Sequence, residues 1–582
     1  MTAGKTTRLT KNNISVVSGA GPYVDLREEP FNVVANHSSP TVAAQNTAGI
    51  NLAIATYSGT GANLVLPDGD VFVEEQAPGG AETGGAEIRW CVKFGTGVSR
   101  LTLSGQGMFA TTLVQRCVGD GGELNLLNID GAAYIELANL GFRQDMITKP
   151  DPAQQNHLVA VYNNTTGGTT EHIRGHNLFF GKCIGDAIRI LAADPSDHVS
   201  DARFTNFLMV LNGVVTSNPP NGRTGARSGI AIQRGGVDCE FGNFSIVGAQ
   251  NSAIDEEPSG GSSVRTHFHD FQIDNTLGNT GIPVSLGGSG GGDIAFDGRV
   301  HDGHITGGSL TMLGPTSGYQ LDRLTIETVT PVATATSLLL IRSGSGGHAD
   351  LELNDITIKR AGTSTAGNCL DVINTGNRTT IRNLHVVQGV AGSPVVIDGA
   401  THLHLDGYRL HYRAPAPQSR HGALIQAINS DADDIRISDV DIVSSTGRLQ
   451  AAVHLDQRIP RSMARIKISD VRSAGSARHG VYLSFDTRGG TPDRTPEISG
   501  IANGSDPVWT QKDQNDNPTS TVFPIISGNR GDICTLVGQA TPEGAVTAIQ
   551  GCTCIHRNAD TTALLFKQTT AGNTGWVPIT VP

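Results

Sequence analysis

Apolar and polar positions alternate along the chain in short bursts, and one phrase keeps returning: an apolar residue, any residue, Asp, Asn or Gly, two of any kind, and a second apolar residue. Clear copies are Phe204-Thr-Asn206-Phe-Leu-Met209, Phe241-Gly-Asn243-Phe-Ser-Ile246, Phe268-His-Asp270-Phe-Gln-Ile273, Val300-His-Asp302-Gly-His-Ile305 and Ile437-Ser-Asp439-Val-Asp-Ile442. Looser copies begin at Leu103, Leu137, Ile173, Leu321, Leu353, Ile381, Leu405, Ile468 and Ile498. The mean step between starts is roughly 30 residues, with individual steps from about 21 to about 37. Helical repeats do not vary so much in length. A β-solenoid does, because insertions leave at its turns.

Each phrase is too short and too β-branched for a helix and alternates as a half-buried strand. Between copies lies a second short strand, as in Ile188-Arg-Ile190, Ile230-Ala-Ile232, Ile282-Pro-Val284, Val395-Val-Ile397 and Val453-His-Leu455. The pattern predicts an all-β chain, a right-handed parallel β-helix (solenoid) with an N-terminal capping helix and a small C-terminal β module. Asn206, Asn243, Asp270, Asp302, Asp355, Asn383, Asp439 and Asp470 occupy one register with Gly105, Gly175, Gly407 and Gly500. These residue types tolerate a left-handed backbone, so the column reads as a stacked ladder of turns.

Upstream, the stretch from Asn46 to Ala55 reads as an N-capped amphipathic helix, a lid for the open edge of the solenoid, and Asn63 to Val73 as a strand and turn. With its Leu66-Pro-Asp-Gly69 turn, this start resembles that of the pectate-lyase-like superfamily of right-handed parallel β-helices. The organisation predicted is an attachment segment over 1–40, a β-helix over 41–505, a polar linker over 506–525 and a C-terminal module over 526–582. Within that module the pieces PEGAVTA, ALLFKQTT and GNTGWV closely resemble a module at the C-terminus of many bacteriophage tail-fibre and tailspike proteins. Cys554-Ile555 stands where that family usually has a Tyr-Leu pair. Because members of that family are homotrimers, the resemblance implies a trimer.

Composition narrows the reading. Of 582 residues 73 are Gly, with 26 Pro and no Gly-X-Y period, so the glycines belong to turns rather than to collagen. No apolar run is long enough to span a bilayer and Met1 to Val16 lacks the apolar core of a secretory signal, so a soluble chain without membrane insertion is expected. The eight cysteines lack C-x-x-C spacing and read as reduced thiols, with no metal cluster and no cofactor signature. A net charge of −12 without a basic run gives no footprint for nucleic acid.

Candidate chemistry gathers where one coil breaks the alternation. Aligning Ser228-Gly-Ile230-Ala-Ile232 with Ser252-Ala-Ile254-Asp255-Glu256 puts Glu256 at an inward position, with Asp255 and Glu257 outward. Residues two apart on a strand lie about 6.5–7 Å apart on one face, a separation at which two carboxylates flank a glycosidic bond. Crowding raises the pKa of at least one, as a general acid requires. The stretch also resembles the G-I-D-I-E-P phrase of many phage and bacterial β-helix proteins, with Glu256 departing from its apolar position. Asp238, Glu240, Asp274, Asp297 and Glu327 are further acidic candidates. The next coils are expected to bring Arg265, His267, His269 and His301 to the same neighbourhood, with Arg234 on the preceding coil. In register, His269 and His301 would lie roughly 5 Å apart.

The sequence therefore predicts a tailspike, carried on a phage tail through its N-terminus, that binds and depolymerises a bacterial surface polysaccharide (capsule, exopolysaccharide or O-antigen). Asp255, Glu256 and Glu257 are the expected catalytic carboxylates of an endo-glycosidase, and Arg265, His267, His269, His301 and Arg234 the expected substrate contacts. The alternatives are a lyase in which an imidazole abstracts a proton while Arg189, Arg234 or Arg265 holds a uronate carboxylate, and a non-enzymatic receptor-binding fibre. A secreted pectinase-like enzyme fits less well, lacking a signal segment.

Overall fold

The structure is a computed structural model describing residues 21–75, 88–116, 123–145, 156–164, 169–192, 197–211, 226–258, 261–275, 282–287, 294–314, 316–328, 337–342, 348–361, 367–373, 378–414, 420–428, 431–457, 463–473, 475–485, 497–502, 506–510, 525–527, 533–537, 553–557, 563–568 and 576–579. It divides into two compact units, residues 1–308 and 309–582. Apart from the C-terminal module, where Ala563–Gln568 pairs antiparallel with Thr553–Arg557 and with Trp576–Ile579, both are built from strands stacked in parallel, the parallel β-solenoid that the repeat predicts.

In the first unit one wall consists of Ile88–Phe94, Glu123–Asp130, Val159–Asn163, Ile188–Ala192, Ser228–Arg234, Ser252–Glu256 and Val284–Leu286, each paired with the next. Val159, Ile188, Ile230, Ile254 and Val284 follow one another in register and are fully buried, so this row is one continuous aliphatic seam. The returning phrase builds a second, bent wall: Ala133–Gln144, Thr170–Phe180, Val199–Val210, Glu240–Val247, His267–Asp274 and Arg299–Thr306.

The bend is the Asp/Asn column. Asn139, Asn177, Asn206, Asn243, Asp270 and Asp302 all take φ between 50° and 54°. A straight strand would send residues three apart to opposite faces; the left-handed residue between them resets the alternation. Phe204 and Phe207 therefore both point inward, as do Phe241 with Phe244 and Phe268 with Phe271. Two columns of rings result, Phe204–Phe241–Phe268 at centroid spacings of 5.8 and 5.2 Å and Phe207–Phe244–Phe271 at 4.8 and 5.3 Å. At the next rung Gly303 leaves room for the Phe271 ring, since a Cβ there would lie 2.1 Å from its Cζ. On the outside the amides form their own ladder: Asn177 Nδ2 donates to Asn139 Oδ1 at 2.9 Å, Asn206 to Asn177, and Asn243 to Asn206 at 3.4 Å. One alignment is corrected: Gly175 pairs with Leu137 and Phe204, so the corner of that coil is Asn177, two residues later.

The second unit repeats the scheme, with Arg323, Asp355, Asn383, Gly407, Asp439, Asp470 and Gly500 at its corners. Its flat wall runs from Leu310–Leu313 through Ala477–Phe485 to Asp506–Thr510, and Ile525–Ser527 pairs with Glu497–Ala502. The expected linker over 506–525 thus begins as a solenoid strand. In the C-terminal module Ile533–Val537, Thr553–Arg557, Ala563–Gln568 and Trp576–Ile579 form a four-stranded sheet. PEGAVTA lies outside the described residues.

Two expectations at the N-terminus are corrected. The helix is Pro40–Tyr57, capped by Ser39, whose Oγ accepts from the Val42 amide, with Pro at its first position. Asn46 lies inside it, buried, its side chain bonding the backbone of Val34 and Phe72. Tyr23–Asp25 pairs in parallel with Asn63–Val65, so the solenoid already includes residues assigned to the 1–40 segment. No helix among the described residues is long and apolar enough to cross a membrane.

Candidate functional site

The outward row of the flat wall in the first unit runs Lys93, Asn128, Ala160, Arg189, Ala231, Asp255, Ser285, one residue per strand. Asp255 is half-buried, with the small Ala231 below it and Ser285 above. Ser228 Oγ donates to its Oδ2 at 3.4 Å. Burial pushes the Asp255 carboxyl up to about 6; Arg227 opposes this, while Glu257 and Asp186 add to the rise. Glu257, also half-buried, follows the strand directly, its amide donating to the Ile232 carbonyl at 2.9 Å.

Glu256 is inward, as the alignment predicts, in register between Ile232 and Leu286 and fully buried. Ser263 Oγ and Thr266 Oγ1 donate to its Oε1 at 2.8 and 2.5 Å. A carboxylate with no exposed surface does not meet a glycan, so Glu256 is corrected from catalytic candidate to a hydrogen-bonded interior group.

Beneath Asp255 lies a network that the sequence reading missed. Arg227 donates from Nε and Nη2 to Asp186 at 2.9 and 2.8 Å, and His157 Nδ1 lies 3.2 Å from Asp186 Oδ2. Arg189 reaches His157 Nε2 at 2.6 Å with one nitrogen and Gln233 Oε1 at 2.6 Å with the other. Asp186 and His157 are fully buried. Burial alone would raise the Asp186 carboxyl, but Arg227 and His157 outweigh it and hold it well below the usual carboxylate range. A signal existed: His157, Asp186, Ser228 and Ser252 each stand two residues ahead of the inward Val159, Ile188, Ile230 and Ile254, a polar column at a position the alternation points inward. Arg234, half-buried, ends the Ser228–Arg234 strand.

The imidazoles are on the bent wall, so the expectation that they join the carboxylates is corrected: they form a separate group. His269 and His301 are in register and stack with centroids 5.4 Å apart, close to the spacing expected. The His269 ring lies over Gly242, where a Cβ would come within 2.3 Å of it. His267 Nε2 meets His301 Nε2 at 2.6 Å, and Arg299 is its register partner on the next strand. His269 bonds Asp270 and Glu240, and His301 bonds Asp302. Burial, with His269 and His301 adding, pulls His267 down to about 4. Arg265 is a corner residue at φ 54°, its guanidinium bonded to Asp238 at 2.5 and 2.8 Å. This exposed ion pair is where the structure places the expected substrate contact. Among the described residues no group of three or more His, Cys, Asp or Glu is placed to hold a metal ion.

No family model and no curated protein matches the chain. Among solved structures it is similar to the tailspike gp49 of Pseudomonas phage LKA1, with 11% identity and a TM-score of 0.42 over 82% of this chain and 83% of that one. It is similar also to a tailspike of the Escherichia coli bacteriophage HK620 in complex with a pentasaccharide, with 11% identity and a TM-score of 0.37 over 95% and 85%. A third is the catalytic unit of an alpha-1,3-glucanase from Streptomyces thermodiastaticus, with 11% identity and a TM-score of 0.38 over 85% and 69%. Likenesses this distant leave the chemistry to be read from the chain's own residues.

Proposed function

We propose that this chain is a homotrimeric phage tailspike that binds a bacterial surface polysaccharide and cleaves its glycosidic bonds by hydrolysis. Asp255 is the general acid and Glu257 its carboxylate partner. The observation that carries this reading is the pairing of an outward carboxyl pushed up to about 6 with a second carboxylate two residues on. Protonated Asp255 gives its proton to the glycosidic oxygen, and the bond from that oxygen to the anomeric carbon breaks. Glu257 supports the positive charge developing on the sugar, and the elements of water end on the two fragments, leaving one new reducing end. The GNTGWV and ALLFKQTT pieces support a tail-borne trimer, attached through its N-terminus.

The test is incubation of purified protein with capsule and lipopolysaccharide from a panel of host strains, beside Asp255→Asn and Glu257→Gln. Wild type releases reducing ends and each variant loses at least about 100-fold in rate while binding glycan as before. Binding without release by wild type overturns cleavage and leaves a receptor-binding fibre. One observation favours a second reading, β-elimination: His267, pulled down to about 4, is an unprotonated base at neutral pH beside Arg299. It predicts ultraviolet absorbance of a new unsaturated uronate and loss of that signal in His267→Gln.

A further inference from the structure

Two carboxylates of the first unit lie within electrostatic reach of one guanidinium, and the geometry divides it unequally. Asp186 takes two donors of Arg227, at 2.9 and 2.8 Å, whereas Asp255 receives one long bond, at 3.4 Å, from Ser228. Asp186 is also held from its other side. His157 Nδ1 accepts from the Asp186 backbone amide at 2.9 Å and lies 3.2 Å from Asp186 Oδ2, while its Nε2 faces Arg189 at 2.6 Å. The links rise coil by coil, from His157 to Asp186 to Arg227 and Ser228 to Asp255. A fully buried carboxylate without its cation is strongly destabilised, while a half-buried one has the alternative of keeping its proton.

We infer that Asp186, which does not meet substrate, is a positioning residue for Asp255: by occupying the fork of Arg227 it denies Asp255 a counter-ion and leaves it a proton to donate. The inference rests on the reading of Asp255 as general acid and adds what sets its protonation. Among the described residues the charged groups acting on Asp255 are Glu257 on its own segment and Arg227 and Asp186 from the coils below; Glu256 adjoins it in sequence, Arg189 lies two strands below in its row, His157 lies beyond Asp186, and Ser285, its register partner above, is neutral.

The test is a double-mutant cycle read by thermal unfolding of the full chain at pH 8 and pH 5, with wild type, Asp255→Asn, Asp186→Asn and the double variant. At pH 8 Asp255→Asn should raise the midpoint by about 2 °C or more in the wild-type background, because it removes a desolvated charge, and lower it in the Asp186→Asn background, where Arg227 has turned to Asp255. At pH 5 the gain in the wild-type background should shrink, while the loss in the Asp186→Asn background, where the ion-paired Asp255 stays ionised, should persist. A change of the same sign in both backgrounds overturns the inference. If Asp186→Asn does not fold, Arg227→Lys replaces it, keeping the charge but breaking the two-pronged grip. The gain from Asp255→Asn should then fall by about half or more, and an undiminished gain overturns the inference. Cleavage is not read in this cycle, so a chain that binds glycan without cutting it would sink the hydrolase reading and leave this comparison intact.

Discussion

Asp255 and Glu256 are adjacent in sequence and occupy different media. The first is half-buried on an outer row whose neighbours Arg189 and Ala231 are buried; the second accepts two hydroxyl hydrogen bonds in the interior. Since the Asp255 carboxyl is raised from 3.8 to about 6, its contribution to stability is full below the lower value and is lost as pH rises through the higher. Under the proposed role of Asp255 as general acid the same proton goes to substrate, and the cleavage rate should decline above about pH 6, a limb checked by a pH–rate profile. Glu256→Leu should leave cleavage per folded molecule unchanged and cost about 1–3 kcal/mol, because Ser263 and Thr266 lose their acceptor; urea unfolding beside the activity assay checks both. The inward place of Glu256 was legible because a strand has period two. Arg227 was not, because it precedes its strand across a connection of variable length, where periodicity carries no phase.

The bent strand is where local chemistry becomes architecture. One left-handed Asn or Asp per coil turns an alternating phrase into one with inward residues on both sides of the corner, and this recurrence made the fold readable without any long element. The copy at Ile173 was misread by two residues because Gly175 mimics the corner that Asn177 makes, and backbone permissiveness does not distinguish them in sequence. Gly303 has a different duty, since it closes the column that ends at Phe271. Gly303→Ala should displace that ring, cost about 1–3 kcal/mol and weaken the near-ultraviolet circular dichroism; an unchanged midpoint in urea would show that the stack yields without strain.

Across the whole molecule, buried imidazoles make acid the vulnerable side. His421 in the second unit packs against His454 at 4.1 Å and within reach of Tyr482, and burial pulls it down to about 4, as it does His267 in the first unit. Stability from these groups is full above their ordinary 6.5 and is lost as pH falls through about 4, opposite in sign to Asp255. Calorimetry between pH 7 and pH 4.5 should show a falling midpoint and a shallower fall in His421→Phe; equal slopes would mean that this cluster does not govern acid lability. The amide ladder has a consequence of another kind. Its members stand at the same phase of successive coils, so a genetic exchange whose joints both fall on ladder positions, such as those of Asn206 and Asn243, swaps one coil's worth of surface and restores every inward row on either side. A joint displaced by one residue inverts the strand beyond it and sends its phenylalanines into water. Recombination among genes of this design is therefore filtered by phase rather than by length, and new outer surfaces are inherited a coil at a time.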